Sequence, residues 1–326
     1  MISGLWRLRL PLPLPGVPHC NAWAIRRGDG VVLVDTGMHE AGSFLDLERA
    51  LAQVGLAVDD VRLVVCTHAH IDHWGQVATV LDRTGCEFWM HPNHAHGTQT
   101  VTDPDVALSR RLEIARQSGV PESALPGVAE RVKSMPTGIA RVIEPDRELV
   151  AGVSLDTDLG TWTVYETPGH APSHVCLFQA ERRLLISGDH VLGRISLYFD
   201  YGWTRDPIGE FLSSLDVVDG LDARLALSGH GKPFLDVHGH IEANRRLVRE
   251  RLDATLAALA DRPRTALEVT PRLHGEPVTA SNAGWWVPET LCYLRHLELS
   301  GKVARESDQG GAEQWATELS DSRTKP

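Results

Sequence analysis

The sequence predicts a layered core of strands and helices in alternation, interrupted by a helical insertion and followed by a C-terminal, winged-helix-like helical module. Three observations predict it. Residues 25–91 alternate apolar strand runs with amphipathic helical runs, the signature of an α/β layered core. Four apolar runs each end in a compact polar stretch: THAHIDH, TPGH, SGDH and SGHG. Beyond residue 240 the pattern is helical, closing on one hairpin.

The elements follow in order. Ile25, the polar turn RRGDG and the run VVLVDTG make a hairpin whose second strand ends at Asp35 and Gly37. SFLDLERALAQVG has apolar residues at helical spacing, with Ser43 placed to cap it. VRLVVC reads as a buried strand that delivers THAHIDHWG to its end; a helix (WGQVATVLDRTG) and a strand (CEFWMH) follow. From about residue 92 to 147 the character changes to two amphipathic helices, DPDVALSRRLEIARQSG and PESALPGVAERVKSM, expected to cover the core and to wall a pocket. Strands return in TWTVYETPGH, HVCLFQAE, RRLLISGDH and ARLALSGHGKP, with the helix IGEFLSSLDVVDG before the last. The division expected is residues 1–240 as the catalytic domain and 241–326 as the tail. A long helix (ANRRLVRERLDATLAALA), then TALEVTPRLHG and PETLCYLRHLELSG, precede a hairpin around Gly310 and Gly311; the final dozen residues read as frayed.

Composition narrows the function. Asp and Glu outnumber Lys and Arg, 43 to 32, for a net charge of -11, so a phosphate-coated partner meets mostly repulsion. The tail does not rescue DNA binding: residues 243–326 hold twelve acidic and twelve basic side chains, and the would-be recognition helix carries Glu289 and Glu298 against Arg295. Packing on the core or on a partner subunit suits it better, and a homodimer is kept open. Five scattered cysteines without a CxxC pair fit a reducing compartment. Prolines and arginines break the apolar N-terminus before a signal core or membrane span forms. The expectation is a cytoplasmic protein acting on a small molecule, away from nucleic acid and membrane.

The chemistry sits at the strand ends. Three histidines and an aspartate fall within residues 68–73, poor material for a core and good ligands for a divalent cation. His68 and His70 can aim at one point, Asp72 and His73 at a neighbouring one. His170 can complete the first site and His230 the second, while Asp189, with two oxygens and a negative charge, can bridge them.

VDTG, THAHIDH, TPGH, SGDH and SGHG, in this order, resemble the five signature motifs of the metallo-β-lactamase-fold hydrolases over roughly residues 15–240. The resemblance implies an α+β fold, a four-layer αββα sandwich, with a dinuclear zinc site at one edge, and all seven ligand positions are filled. The insertion and tail look like the branch that includes glyoxalase II-like proteins and β-lactamase-like protein 2. Asp189 separates the chain from lactamases that carry Cys there or lack a bridging carboxylate. Two cations about 3.5–4 Å apart can acidify one water toward a pKa of roughly 7, and the hydroxide then attacks a carbonyl. The expected activity is hydrolysis of an ester, thioester, lactone or lactam, with Asp72 or Asp189 passing the proton to the leaving group and Tyr198 donating to the oxyanion or lining the pocket. Two Zn2+ are expected; nitrogen and carboxylate ligands accept Fe or Mn as well. A phosphodiesterase or ribonuclease, or a non-enzymatic metal-stabilised binding protein, are the competing readings.

Other residues receive supporting roles. Asp35 is expected to fix the ligand loop by hydrogen bonds rather than touch metal. His174 and His190 are expected to be structural, and His91, His94 and His96 of HPNHAH to form a pocket rim or polar loop. Tyr201 shares the reading of Tyr198, Lys232 is a candidate for a substrate carboxylate, and Trp285 and Trp286 are expected to anchor the tail against the core.

Overall fold

The computed structural model describes residues 2–14, 16–307 and 311–318. Its first sheet has the order β1-β2-β3-β4-β5-β6, built from β1 (Leu5–Leu14), β2 (Val17–Arg27), β3 (Gly30–Val34), β4 (Val61–Val65), β5 (Glu87–Met90) and the short β6 (Arg147–Glu148). Helices α1 (Ser43–Ala52), α2 (Ile71–Trp74) and α3 (Val77–Thr84) lie between these strands, and α4 (Ala95–Thr102), α5 (Pro104–Gln117) and α6 (Leu125–Ser134) form the insertion. The second sheet runs β11-β10-β9-β8-β7, from β7 (Ser154–Thr157), β8 (Gly160–Glu166), β9 (Val175–Gln179), β10 (Leu184–Gly188) and β11 (Leu225–Ser228), with α7 (Pro207–Asp219) before the last strand. The tail is α8 (Val237–Ala258), α9 (Ala266–His274), α10 (Ala283–Leu299) and the antiparallel pair β12 (Val303–Ser307) and β13 (Glu313–Thr317).

Side-chain alternation explains the layering. Along β3, Val31 and Leu33 join the cluster that contains Leu47 and Leu51 of α1, while Val32 and Val34 turn to the cluster shared with Trp162, Val164 and Leu177 of the other sheet. Along β9, Val175 and Leu177 face that central cluster, and Cys176 and Phe178 meet Phe211 and Leu215 of α7. The central strands of each sheet therefore bury both faces, which is why β3, β4, β9 and β10 read as continuous apolar runs. The order is helix, sheet, sheet, helix. With β4, β10 and β11 ending at one edge, the polar stretches that follow them are brought together.

Several expectations need correction. The first strand expected was the one ending at Ile25; the N-terminal segment before it, for which no element was read, forms the ten-residue edge strand β1. Pro11 and Pro13 alternate outward while Leu8, Leu10 and Leu12 are buried, and an edge strand tolerates residues without an N–H. Ser43 does not cap α1: Gly42 holds the cap with φ 85°, and the Ser43 hydroxyl closes a turn on Glu40. The HPNHAH run is not merely a loop, because its second half starts α4. Helix α8 runs unbroken from Val237 through residues 240 and 241.

Trp285 and Trp286 do not anchor the tail to the core. Trp285 is exposed, and Trp286 stacks on His274 of α9, within the tail itself, with centroids 4.4 Å apart. The closing hairpin forms with Gly311 at φ 82°; Gly310 lies outside the described residues. So do residues 319–326 of the stretch expected to fray, but Trp315 within it is fully buried beside Leu291, Leu294 and Val303. All five cysteines are free, and no helix among the described residues is long and apolar enough to cross a membrane.

Candidate metal centre

Strand β4 ends at Val65, and the chain turns into the one-turn helix α2, for which His70 is the N-cap. This turn puts His68 and His70 on one side and Asp72 and His73 on the other. It is pinned from beneath. Asp35, in the left-handed region at φ 64°, accepts from the Thr67 N–H (2.8 Å), the Thr67 hydroxyl (3.0 Å) and His73 Nδ1 (2.9 Å). The carbonyl of His73 in turn accepts from the Thr36 N–H at 2.6 Å and is 3.1 Å from the Thr36 hydroxyl. Asp35 therefore fixes the ligand loop as the sequence suggested.

Two clusters result. In the first, His70 Nδ1 lies 3.0 Å from His68 Nε2 and 3.0 Å from His170 Nε2. The hydrogen-bond network assigns the tautomers. Thr67 spends its hydroxyl proton on Asp35, so His68 Nδ1, 3.0 Å from that hydroxyl, must donate to it. His170 Nδ1 donates to the Tyr198 carbonyl at 3.0 Å. Both Nε2 atoms therefore present lone pairs. His70 Nε2 donates to Asp200 at 2.9 Å, leaving Nδ1 to face two acceptors. One proton on Nδ1 would serve only one of them; a cation serves all three.

In the second cluster His230 Nε2 is 3.2 Å from Asp72 Oδ2 and 3.1 Å from Asp189 Oδ2, and His73 Nε2 is 3.7 Å from Asp72 and 3.6 Å from Asp189. His230 Nδ1 is occupied by the carbonyl of His19 at 2.9 Å, so its Nε2 must carry a proton or a cation. His73 Nε2 and Asp189 Oδ1 are buried without a hydrogen-bond partner. Asp189 also reaches toward the first cluster, with Oδ2 3.8 Å from His170 Nε2. His174 supports it from behind by accepting the Asp189 N–H at 3.1 Å. The close approach requires Gly229, where a Cβ would sit 2.2 Å from Asp189 Oδ1.

Electrostatics separate the clusters. Burial and the neighbouring imidazoles push His68 well below the ordinary histidine range and hold His170 at about 4. In the second, burial works against a charge on His73 and His230, yet Asp189 and Asp72 outweigh it; His73 rises well above its usual value and His230 to about 10. Burial alone would raise Asp72 and Asp189, but His73 and His230 hold both carboxyls low. The residues thus fit cations: three lone pairs converge in one place, and two carboxylates demand positive charge in the next. His68, His70 and His170 form one group able to hold an ion, Asp72, His73 and His230 another, and Asp189 groups with His68 and His73.

One contributor, Asp200, escaped the sequence reading. Asp200 accepts from His70 Nε2 at 2.9 Å and lies 2.8 Å from His96 Nδ1 as an ion-pair contact, and its carboxyl is held well below the usual range by those imidazoles against the effect of burial. His96 Nε2 is 2.7 Å from the Ser173 hydroxyl, which accepts the Ala69 N–H at 3.0 Å. Helix α4 of the insertion is thereby joined to the ligand loop. The contact depends on Gly97, where a Cβ would lie 1.7 Å from the Ala69 carbonyl oxygen. Nothing in YFDYG signals Asp200; His96 was visible in HPNHAH, but its companions diverge. His91 pairs with Glu166 at 2.7 Å, and His94 stacks on Trp74. The Tyr198 ring edges onto His70 and His170, and burial and Asp200 raise its phenol well above the usual range. Tyr201 packs into the apolar clusters with the tail helices instead.

Residues 15–230 match the family described as the Metallo-beta-lactamase superfamily. The Probable metallo-hydrolase YqjP of Bacillus subtilis is 28% identical over 76% of this chain and 78% of its own. The Atrochrysone carboxyl ACP thioesterase of Aspergillus chevalieri is 26% identical over 68% of this chain and 72% of its own. Among solved structures, the metallo-beta-lactamase family protein TTHA1429 of Thermus thermophilus superposes with a TM-score of 0.83 at 28% identity, covering 97% of this chain and 99% of that one.

Proposed function

The chain belongs to the metallo-beta-lactamase superfamily and is a metal-dependent hydrolase, and from that premise we propose that it is a dinuclear zinc enzyme that opens a carbonyl–heteroatom bond. Ester, thioester, lactone and lactam are the candidate substrates, with the thioester foremost because a relative is named a thioesterase. The observation that carries the reading is the convergence of three imidazole lone pairs beside a carboxylate-rich second cluster, with Asp189 reaching toward both.

His68, His70 and His170 would hold one ion, Asp72, His73 and His230 the other, and Asp189 would touch both. When bound, such a pair supplies an acidified water and an electrophile for the carbonyl oxygen. The chain's own residues do the rest. Asp35 and Asp200 keep His73 and His70 in the orientation that leaves a nitrogen free for the ion. Asp72 or Asp189 takes the proton that the attacking water gives up and returns it to the departing heteroatom as its bond to the carbonyl carbon breaks. Tyr198 lines the first cluster; its phenol is engaged by Asp200, which suits a wall better than an oxyanion donor. The tail, residues 241–326, we read as an accessory winged-helix-like module on a catalytic part of residues 1–240, in a cytoplasmic protein.

Zinc-loaded protein assayed on chromogenic lactam, lactone and thioester substrates alongside RNA tests the proposal. Turnover of a carbonyl substrate, lost on His68→Ala with His70→Ala, is the expected result. Cleavage of RNA alone would replace it with the phosphodiesterase reading, and inactivity on all four with the binding-protein reading.

A further inference from the structure

Beside His230 lies a polar cluster that neither ligand group uses. Arg7 and Arg9 stand two residues apart on β1, on the same face of the strand. Arg7 NH2 approaches His19 Nε2 at 3.1 Å, and Arg9 NH2 approaches His19 Nδ1 at 3.4 Å. A neutral imidazole has a single lone pair and a protonated one has none, so the ring can satisfy at most one of these donors. Neither guanidinium makes an ion pair with a carboxylate among the described residues. The donors exceed the acceptors, and two positive charges gather unneutralised in a chain of net charge -11.

The cluster is built into the wall that carries His230. The His19 carbonyl accepts from His230 Nδ1 at 2.9 Å. Arg7 Nε donates to Asn21 Oδ1 at 2.8 Å, and the buried Asn21 donates in turn to the carbonyls of Ser228 (2.8 Å) and Gly231 (3.0 Å), on either side of His230. Arg7 is thus oriented by a fixed bond, while Arg9 and His19 remain partly open to solvent. What the group lacks is an acceptor with two or more oxygens, and guanidinium groups match a carboxylate or phosphate in both charge and geometry.

We infer that Arg7, Arg9 and His19 form an oxyanion-binding subsite that seats a carboxylate or phosphate carried by the substrate, next to the second ligand cluster. The inference rests on the hydrolase reading and sharpens it: the substrate is an anionic acyl compound rather than a neutral ester.

Three thioesters that differ only at the far end of the acyl chain, neutral, carboxylate or phosphate, test it against Arg7→Gln with Arg9→Gln. KM for one or both anionic substrates should rise about tenfold or more, the scale of a lost charge-assisted contact, while kcat and the neutral substrate are unaffected. The neutral substrate doubles as a check on folding, and the anionic arm that responds identifies the group. An equal change for all three substrates, or none, overturns the inference. Titration calorimetry with succinate and with inorganic phosphate decides independently of turnover. Weaker binding of either anion by the double variant than by the unsubstituted chain supports the subsite, and equal binding or no binding refutes it even where no substrate is hydrolysed. Failure of hydrolysis with retained, arginine-dependent anion binding would instead fault the proposed activity alone.

Discussion

The candidate metal edge and the tail both bury polar side chains, and they differ in whether the inner atoms converge. In the tail several buried groups satisfy each other, and buried atoms left without a hydrogen-bond partner, among them Arg251 Nε, His274 Nε2 and Trp315 Nε1, lie on separate elements. Glu289 accepts from the Tyr293 hydroxyl at 2.9 Å, the hydroxyls of Thr270 and Thr290 meet at 3.0 Å, and Thr265 and Glu268 close a capping box at the start of α9. At the edge the inner atoms converge instead: His68, His70 and His170 aim at one point, and beside them His73 Nε2 and Asp189 Oδ1 have no hydrogen-bond partner. Buried polarity alone does not mark a site. Polar atoms that are oriented by an outer ring of partners and left without an inner one do.

The largest effect follows from emptying the centre of the edge. His68→Ala with His70→Ala should abolish retention of the first ion and with it turnover, seen as loss of bound metal after dialysis; an unchanged metal content would break the contrast. Asp200→Asn acts one step out. It keeps the shape and removes the charge that orients His70, so affinity for the first ion should fall about 10–100-fold in a chelator competition, while affinity at the second cluster holds. A uniform loss at both would show Asp200 to be merely structural.

In the tail the effects should appear in stability and leave metal content alone. Burial raises Glu289 to about 7, so it folds protonated while the unfolded chain ionises near 4.5. Its contribution is complete below about 4.5 and disappears as pH climbs through about 7. Between those limits the unsubstituted protein should lose up to about 3 kcal/mol relative to Glu289→Gln, measured by urea unfolding at several pH values; parallel profiles would contradict the burial argument. Smallest, Thr265→Ala removes the acceptor for the Glu268 N–H and should cost about 1 kcal/mol with no change in metal affinity.

The same contrast explains what the sequence could reveal. The clustering of the histidines and aspartates was legible because His and Asp at the ends of apolar strands have no ordinary structural use, and motif order supplied the pairing. Asp200 was not, because an aspartate between Phe199 and Tyr201 in a loop is chemically unremarkable until His70 and His96 converge on it from 130 and 104 residues away. Strand β1 was hidden by prolines that only an edge position tolerates. Trp286 was misjudged for a related reason: an aromatic pair marks packing without naming its partner, which is His274 in the same module. Local pattern carries the donors, and only the fold carries who receives them.

Crystals grown with zinc and measured at its absorption edge test the central claim most directly. Two anomalous peaks are predicted, one bounded by His68 Nε2, His70 Nδ1 and His170 Nε2, the other by Asp72, His73 and His230, with Asp189 against both. A single peak, or none among these residues, would contradict the account.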